Sequence, residues 1–261
     1  MAPSSIGEIN LLPWHEKYLI YSQTIPQELL ERFHLDREKI LNDESGLFSI
    51  QAEPGTTTAE ISLFHRLSFP DPVLYGQITD TISGQVHVLF YVLNDPDSPR
   101  FDIDRMPDGS LTKFGTSLRN IPAEMAALHY GLAPGQIRRG LRMLSPAIHA
   151  FEKFVVNLGH DMFFVEPLFY HNAVLFEWNG FGYQKGRLLM EKINQSLCKG
   201  GALSENLNST FPFRQPAAVD SIRFRSWAIH DGILGFPFTD VTMYKHVGAH
   251  AGEDTCPGCV W

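Results

Sequence analysis

The sequence predicts an α/β protein of the α+β kind, in which helices flank a mixed, mostly antiparallel central sheet that carries N- and C-terminal extensions. The runs PVLYGQITDT and QVHVLFYVLND are rich in β-branched and aromatic residues, and Ser83 and Gly84 between them indicate a hairpin. Further along the chain, apolar residues recur three or four positions apart, as in helices that cover a sheet.

Before the hairpin, residues 1 to about 60 contain one helical segment, IPQELLERFHL, between polar connections, and they form the predicted N-terminal extension. After the hairpin, RFDIDRM alternates apolar and charged residues as a half-buried strand does. The turn-forming residues Pro107, Asp108 and Gly109 end that strand.

A helical period begins near Ala133 in PGQIRRGLRMLSPAIHAFEKFVVNLG, where Pro146 is expected to kink or divide the helix. The run MFFVEPLF then fits a buried strand, and YHNAVLFEWNG fits a helix with Gly180 just past its end. Next, RLLMEKINQSL indicates another helix and SIRFRSWAIHDGI a strand. We therefore expect a central domain at 61–195 and a C-terminal segment at 196–261 that packs on it.

Composition narrows the function classes. The formal charge is −8 and Lys and Arg form no long run, so the sequence lacks the basic patch typical of proteins that bind nucleic acids. The basic group Arg138, Arg139 and Arg142 suits an anionic small molecule better. No signal peptide and no membrane-spanning run is evident, so we expect a cytoplasmic protein without a membrane partner. Three cysteines are too few for a disulfide framework, and a homodimer is compatible with the sequence.

The stretch LFEWNGFGY, Leu175 to Tyr183, resembles a motif of the acyl-CoA N-acyltransferase (GNAT) superfamily, and the order of elements over about 72–190 is similar to that fold. The resemblance implies transfer of an acyl group from an acyl-CoA or acyl-carrier thioester to an amine. It also implies that the strand before the long helix diverges from its neighbour and that acyl-CoA lies in the gap, with its pyrophosphate on amides at the helix N-terminus.

On this resemblance, the residues expected to bind the cofactor are Gly135, Gln136, Arg138, Arg139 and Gly140. The candidate base is Glu166 or His171, and the candidate acid is Tyr183. The chain departs from the family where Arg142 replaces a small residue of the phosphate loop and where Phe176 replaces the usual acidic tyrosine. A catalytically silent GNAT-like module that binds a small ligand is therefore an alternative.

A second alternative is a metal-binding protein or metalloenzyme. His246, His250, Cys256 and Cys259 are the ligand types that zinc prefers, and Cys-Pro-Gly-Cys resembles a zinc knuckle. The same residues are also compatible with a redox-active cysteine pair or with an unliganded tail. His87 alternates with Val86 and Val88 and is expected at a strand surface.

Overall fold

The structure is a computed structural model that describes residues 3–42, 45–112 and 118–261. In this part of the chain, the helices are α1 (Ile6–Asn10), α2 (Trp14–Tyr21), α3 (Gln27–Arg32), α4 (Arg37–Leu41), α5 (Ile121–Tyr130), α6 (Leu144–Asn157), α7 (Tyr170–Trp178), α8 (Arg187–Leu197) and α9 (Ile222–His230). The strands are β1 (Phe48–Gln51), β2 (Thr58–Leu63), β3 (Leu74–Asp80), β4 (Val86–Leu93), β5 (Met162–Val165), β6 (Gly182–Lys185) and β7 (Thr242–His246).

The strands form one sheet with the order β1-β2-β3-β4-β5-β7-β6. β1 to β4 pair antiparallel in succession, and β4 pairs parallel to β5. The predicted fold class, a mixed and mostly antiparallel sheet with flanking helices, is confirmed.

The chain divides into two compact units that are each discontinuous in sequence. The first unit comprises Met1–Pro96, Gly140–Glu166 and Tyr244–His250, and the second comprises Asp97–Arg139, Pro167–Met243 and Ala251–Trp261. The expected segments 1–60, 61–195 and 196–261 were continuous, and they stay predictions about how the chain is organised.

The core of the first unit lies on one face of its strands. Successive side chains of a strand point to opposite faces, and in β3 buried and half-buried residues alternate accordingly over Leu74 to Ile78. The helix α6 covers the buried face: Phe151 on this helix contacts Tyr91 of β4 and Phe163 of β5, with ring centroids 5.1 and 6.1 Å apart. This helix and these strands therefore share one apolar layer.

The second unit contains a separate apolar cluster. Trp227 of α9 is fully buried, its ring stacks on Phe213 at 5.2 Å, and its indole N–H donates to the carbonyl of Leu132 at 2.8 Å. The buried tryptophan thus fills the core and satisfies its polar atom at the same time.

Several local predictions are confirmed, namely the β3–β4 hairpin, β5, α7 and α8. Three others are wrong. The helix expected from Ala133 begins only at Leu144, which puts Pro146 in its first turn, so that this proline does not divide the helix. The expected strand SIRFRSWAIHDGI contains α9, and RFDIDRM forms turns rather than a strand. Among the described residues, no helix is both long and apolar enough to cross a membrane.

Candidate active site

The parallel strands β4 and β5 form a fork in the first unit. Their register joins His87 to Phe164 and Val88 to Val165, and the N–H of Glu166 then donates to the carbonyl of Val88 at 3.2 Å. β5 ends there, whereas β4 continues to Leu93. Five residues of β4 thus run on beyond the last residue of β5 with which it pairs.

An irregularity in β4 marks the point where the fork opens. The register with β3 shifts between Gln77 and Ile78, so that Leu89 is an extra residue, as in a β-bulge. From Leu89 to Leu93 every side chain is half-buried, although the strand is central and these residues are apolar. These five side chains are therefore partly accessible to solvent over the stretch where β4 runs beyond β5.

The chain before α6 closes the far end of the fork. Asn94 and Gly140 form an antiparallel bridge, and the N–H of Leu141 donates to the carbonyl of Leu93 at 3.2 Å. Because backbone groups alternate along a strand, the N–H and C=O of Tyr91 face the same side as the carbonyl of Leu93. This side of β4 is the inner edge of the fork.

Helix α6 starts directly after this closure without a side-chain cap. Its N-cap residue is Met143, and no acidic residue lies in the first turn. Within the described chain, the N–H groups of Leu144 and Ser145 meet no hydrogen-bond acceptor. The exposed Arg142 before them has a left-handed backbone, with φ of 58°, which is uncommon outside glycine. Unpaired N–H groups, the helix dipole and a guanidinium all favour an anion here.

Two titratable side chains share one face at the junction of the fork. His87 lies opposite Phe164, and Glu166 lies two residues further along, so both project on the side away from α6. The Nε2 atom of His87 is buried and has no hydrogen-bond partner among the residues that the structure describes. Burial lowers the pKa of His87, and the charge of Glu166 opposes that shift. Glu166 itself is exposed. A neutral imidazole and an accessible carboxylate are both groups that can accept a proton.

The residues predicted to hold a phosphate lie elsewhere, except Gly140. Gly135 has φ of 82°, and a Cβ atom at this position would lie 2.3 Å from the ring of Phe169. Gln136 Oε1 accepts from the N–H of Ala133 at 2.8 Å. Gly135 and Gln136 therefore belong to a tight turn of the second unit and not to the N-terminus of a helix.

The two arginines of that segment also have partners within the second unit. Arg138 is buried and donates to the carbonyl of Ser98 at 2.5 Å, and the N–H of Arg139 donates to the Oγ atom of Ser98 at 3.0 Å. The Arg139 guanidinium lies 4.9 Å from the ring centre of Tyr130. Of the basic group expected from the sequence, Arg142 is therefore the member beside the fork.

The other proposed catalytic residues, His171 and Tyr183, belong to the second unit. His171 is 2% exposed, its Nδ1 atom lies 2.9 Å from Ser226 Oγ, and burial lowers its pKa to about 3. Tyr183 donates to the fully buried Glu177, and burial raises the pKa of both groups. Thr255 also donates to Glu177, at 2.6 Å from its hydroxyl. Both His171 and Tyr183 therefore lie in a different compact unit from the fork, and their catalytic roles stay predictions.

The four residues considered as zinc ligands divide between the units. His246 and His250 are exposed in the first unit, whereas Cys256 and Cys259 form a disulfide in the second. In the described ranges, no group of three or more His, Cys, Asp or Glu side chains is placed to hold a metal ion. Zinc binding stays a prediction, and it would require that the disulfide be reduced first.

A buried charged cluster in the second unit was not expected from the sequence. Arg119 pairs with Glu124 and, at 3.2 Å, with Asp231. Glu124 also lies 3.1 Å from His230 Nε2, and Arg214 pairs with Asp231 at 2.8 Å. Burial raises the pKa of Glu124, but its partners His230 and Arg119 together lower it below the ordinary value. The neighbours His230 and Asp231 were the visible signal in the sequence, but their partners Glu124 and Arg119 are 106 and 112 residues away.

Comparison with known proteins gives no relative: no protein-family model, no curated protein and no solved structure matches the chain.

Proposed function

We propose that the protein transfers an acyl group from an acyl-CoA or acyl-carrier thioester to an amine, and that the fork binds the thioester. The observation that carries this proposal is that β4 runs five residues beyond its pairing with β5. This opening supports the GNAT resemblance of the sequence, which implied two diverging strands beside a helix N-terminus. We further propose that the reaction takes place in the cytoplasm.

The chemistry of the fork suits the arm of such a thioester. The arm of coenzyme A is narrow and carries amide groups, which can pair with a strand edge as a further strand does. The backbone groups of Tyr91 face the fork and are suitably oriented for this pairing. The half-buried apolar side chains from Leu89 to Leu93 offer a surface for the acyl chain.

The charged end of the cofactor then meets the start of α6. The pyrophosphate would accept hydrogen bonds from the N–H groups of Leu144 and Ser145, and the guanidinium of Arg142 would add a positive charge. This arrangement moves the phosphate site from Gly135–Arg139 to Gly140–Ser145. Of the five residues that the sequence predicted to bind the cofactor, only Gly140 belongs to this new site. The other four have structural roles in the second unit.

In the proposed reaction, the amine nitrogen attacks the thioester carbonyl carbon, and the bond from that carbon to sulfur breaks as the amide forms. Glu166 is the proposed base that takes the proton from the amine, since it is exposed at the junction of the fork. His171 as an alternative base and Tyr183 as the acid that protonates the leaving thiolate stay predictions.

Binding is tested by thermal unfolding with acetyl-CoA, a longer acyl-CoA and free CoA. A ligand at one hundred times its dissociation constant should stabilise the protein by about 2.7 kcal/mol. Arg142→Gln should weaken this stabilisation, whereas Lys39→Gln, which removes an exposed charge from α4, should leave it unchanged. No stabilisation by any of the three compounds, or equal effects of the two variants, would contradict the proposed site.

Turnover is tested separately by the release of free thiol in the presence of a panel of primary amines. Glu166→Gln should lower the rate by about 100-fold or more and retain the stabilisation by acetyl-CoA, because a general base contributes to chemistry rather than to binding. Glu53→Gln is the control, since Glu53 is an exposed carboxylate in a loop of the first unit. Binding of CoA compounds without turnover of any amine would favour the silent ligand-binding module.

A further inference from the structure

The two cysteines of the C-terminal disulfide have different surroundings. Cys256 is 1% exposed, whereas Cys259 is partly exposed, and Pro257 and Gly258 between them are exposed. An external thiol can therefore approach the sulfur of Cys259 and not that of Cys256. Both residues belong to the second unit.

A buried guanidinium lies against the inner sulfur. Arg225 of α9 is 1% exposed, and its Nη1 atom lies 2.8 Å from Cys256 Sγ. The other acceptors of this guanidinium are all uncharged: Tyr170 Oη at 3.1 Å, Asn194 Oδ1 at 2.9 Å, the carbonyl of Ala218 at 3.0 Å and the carbonyl of Val219 at 2.5 Å. In the described part of the chain, Arg225 makes no ion pair with a carboxylate.

A buried cation without a counterion is unfavourable even when its hydrogen bonds are made. Reduction of the disulfide would create a counterion, because a thiolate at Cys256 would face the guanidinium directly. Arg225 therefore favours the reduced state over the oxidised one. A disulfide whose reduced form is stabilised in this way is easier to reduce.

We propose that Cys256 and Cys259 form a reversible redox pair that exchanges with an external dithiol. One thiolate of the dithiol attacks the sulfur of Cys259, the bond between the two cysteines breaks, and Cys256 leaves as a thiolate beside Arg225. The second thiol of the dithiol then displaces Cys259 from the mixed disulfide. The dithiol is oxidised to its disulfide, the protein gains two electrons, Cys259 takes up a proton, and one proton is released.

The redox pair has a structural connection within the second unit. Next to Cys256, the N–H and hydroxyl of Thr255 donate to Glu177. Beyond Cys259, the N–H of Val260 donates to the carbonyl of Asp220, and its carbonyl accepts from the N–H of Ile222. These bonds hold the segment on both sides, so that the thiols stay close together after reduction and the disulfide can form again. The proposal does not depend on acyl transfer.

The first test is a redox titration of the full chain against mixtures of reduced and oxidised dithiothreitol, with alkylation and intact mass to count thiols. We expect a single reversible two-electron transition of a folded protein, with Cys198 alkylated throughout as the third thiol. Arg225→Met should require an at least tenfold higher ratio of reduced to oxidised reagent for half-reduction. Arg223→Met on the same helix is the control and should keep the wild-type midpoint.

A midpoint that is the same in wild type and Arg225→Met would overturn the proposal, as would reduction that occurs only when circular dichroism shows unfolding. If Arg225→Met does not fold, single-cysteine variants provide a second test. Cys256→Ser leaves Cys259, which should form a mixed disulfide with oxidised glutathione. Cys259→Ser leaves the buried Cys256, which should react at least tenfold more slowly. The reverse order of reactivity would also refute the assigned roles.

Discussion

His87 and His171 are both withdrawn from solvent, one in each compact unit, and burial lowers the pKa of both. They differ in their partners. His171 is fully enclosed and lies within hydrogen-bond distance of Ser226, whereas His87 is half-buried and its inaccessible Nε2 atom has no partner in the described part of the chain. The ring of His171 thus has a hydrogen-bond partner within its own unit, whereas one ring nitrogen of His87 remains available to donate or accept a hydrogen bond.

The carboxylates repeat this contrast. Glu124 in the second unit is buried between Arg119 and His230, whereas Glu166 at the fork is exposed. Satisfied buried groups mainly stabilise a fold, because removal of one partner leaves the other without compensation. A buried polar atom without a partner, such as Nε2 of His87, costs stability, and proteins tolerate such costs mainly at functional sites. We therefore expect substitutions in the charged cluster of the second unit mainly to lower stability. Substitutions at the fork should mainly lower activity.

The largest effect is expected at the charged cluster of the second unit. Glu124→Ala leaves Arg119 with one carboxylate partner and His230 with none, and should lower the free energy of unfolding by about 3–5 kcal/mol. Glu205→Ala removes an exposed acid of the same unit and should change it by less than about 0.5 kcal/mol. Urea denaturation measures both. Similar small losses in the two variants would show that the cluster is not what stabilises this unit.

The next effect is a dependence of stability on pH caused by His171. In the unfolded chain its pKa is near 6.5, and in the folded protein burial lowers the pKa to about 3. Between these values the unfolded state binds more protons, so the free energy of unfolding falls as the pH falls below about 6.5. The loss should reach about 3 kcal/mol at pH 4 and level off below about pH 3.

The measurement compares urea denaturation of wild type and His171→Gln from pH 7 to pH 4. The variant should have the smaller loss, since its amide does not titrate. His149→Gln is the control, because His149 is exposed on α6 and should leave the pH dependence unchanged. Parallel curves for wild type and His171→Gln would mean that His171 becomes protonated in the folded protein without penalty.

The sequence predicted the elements whose signal is local and failed where burial depends on distant partners. The β3–β4 hairpin, α7 and α8 follow from periodicity and turn residues within each segment. The segment SIRFRSWAIHDGI, which contains α9, was interpreted as a strand. In fact Ile222, Arg225 and Ile229 are buried at helical spacing, and the hydroxyl of Ser221 caps the helix at the N–H of Phe224.

The expected helix at Gly135 failed for a related reason. Its apolar spacing is correct, but Gly135 is left-handed and its space is occupied by the ring of Phe169, a residue more than thirty positions away. The fork itself also depends on long-range pairing, since no local pattern in β4 indicates where β5 ends. Alternation therefore predicted His87 at a surface, although it lies opposite Phe164 with its Nε2 atom enclosed.

The smallest effect on stability is expected from His87→Phe. This substitution also tests most directly the contrast between His87 and His171. A buried unpaired nitrogen costs free energy, and a phenyl ring of similar shape removes it, so the variant should be up to about 1 kcal/mol more stable than wild type. The same exchange at His171 breaks the bond to Ser226 and should destabilise the second unit. Urea denaturation of the two variants measures this difference in sign.

The same substitution, His87→Phe, also leads to a prediction about turnover. If the unused nitrogen of His87 serves the reaction, His87→Phe should lower the release of thiol from acetyl-CoA with an amine while it raises stability, which is the trade-off typical of functional sites. His87→Gln, which restores a polar atom, should recover part of the rate. A destabilised His87→Phe variant with unchanged turnover would instead make His87 a structural residue like His171, and the contrast between the two units would no longer support the fork as the proposed site.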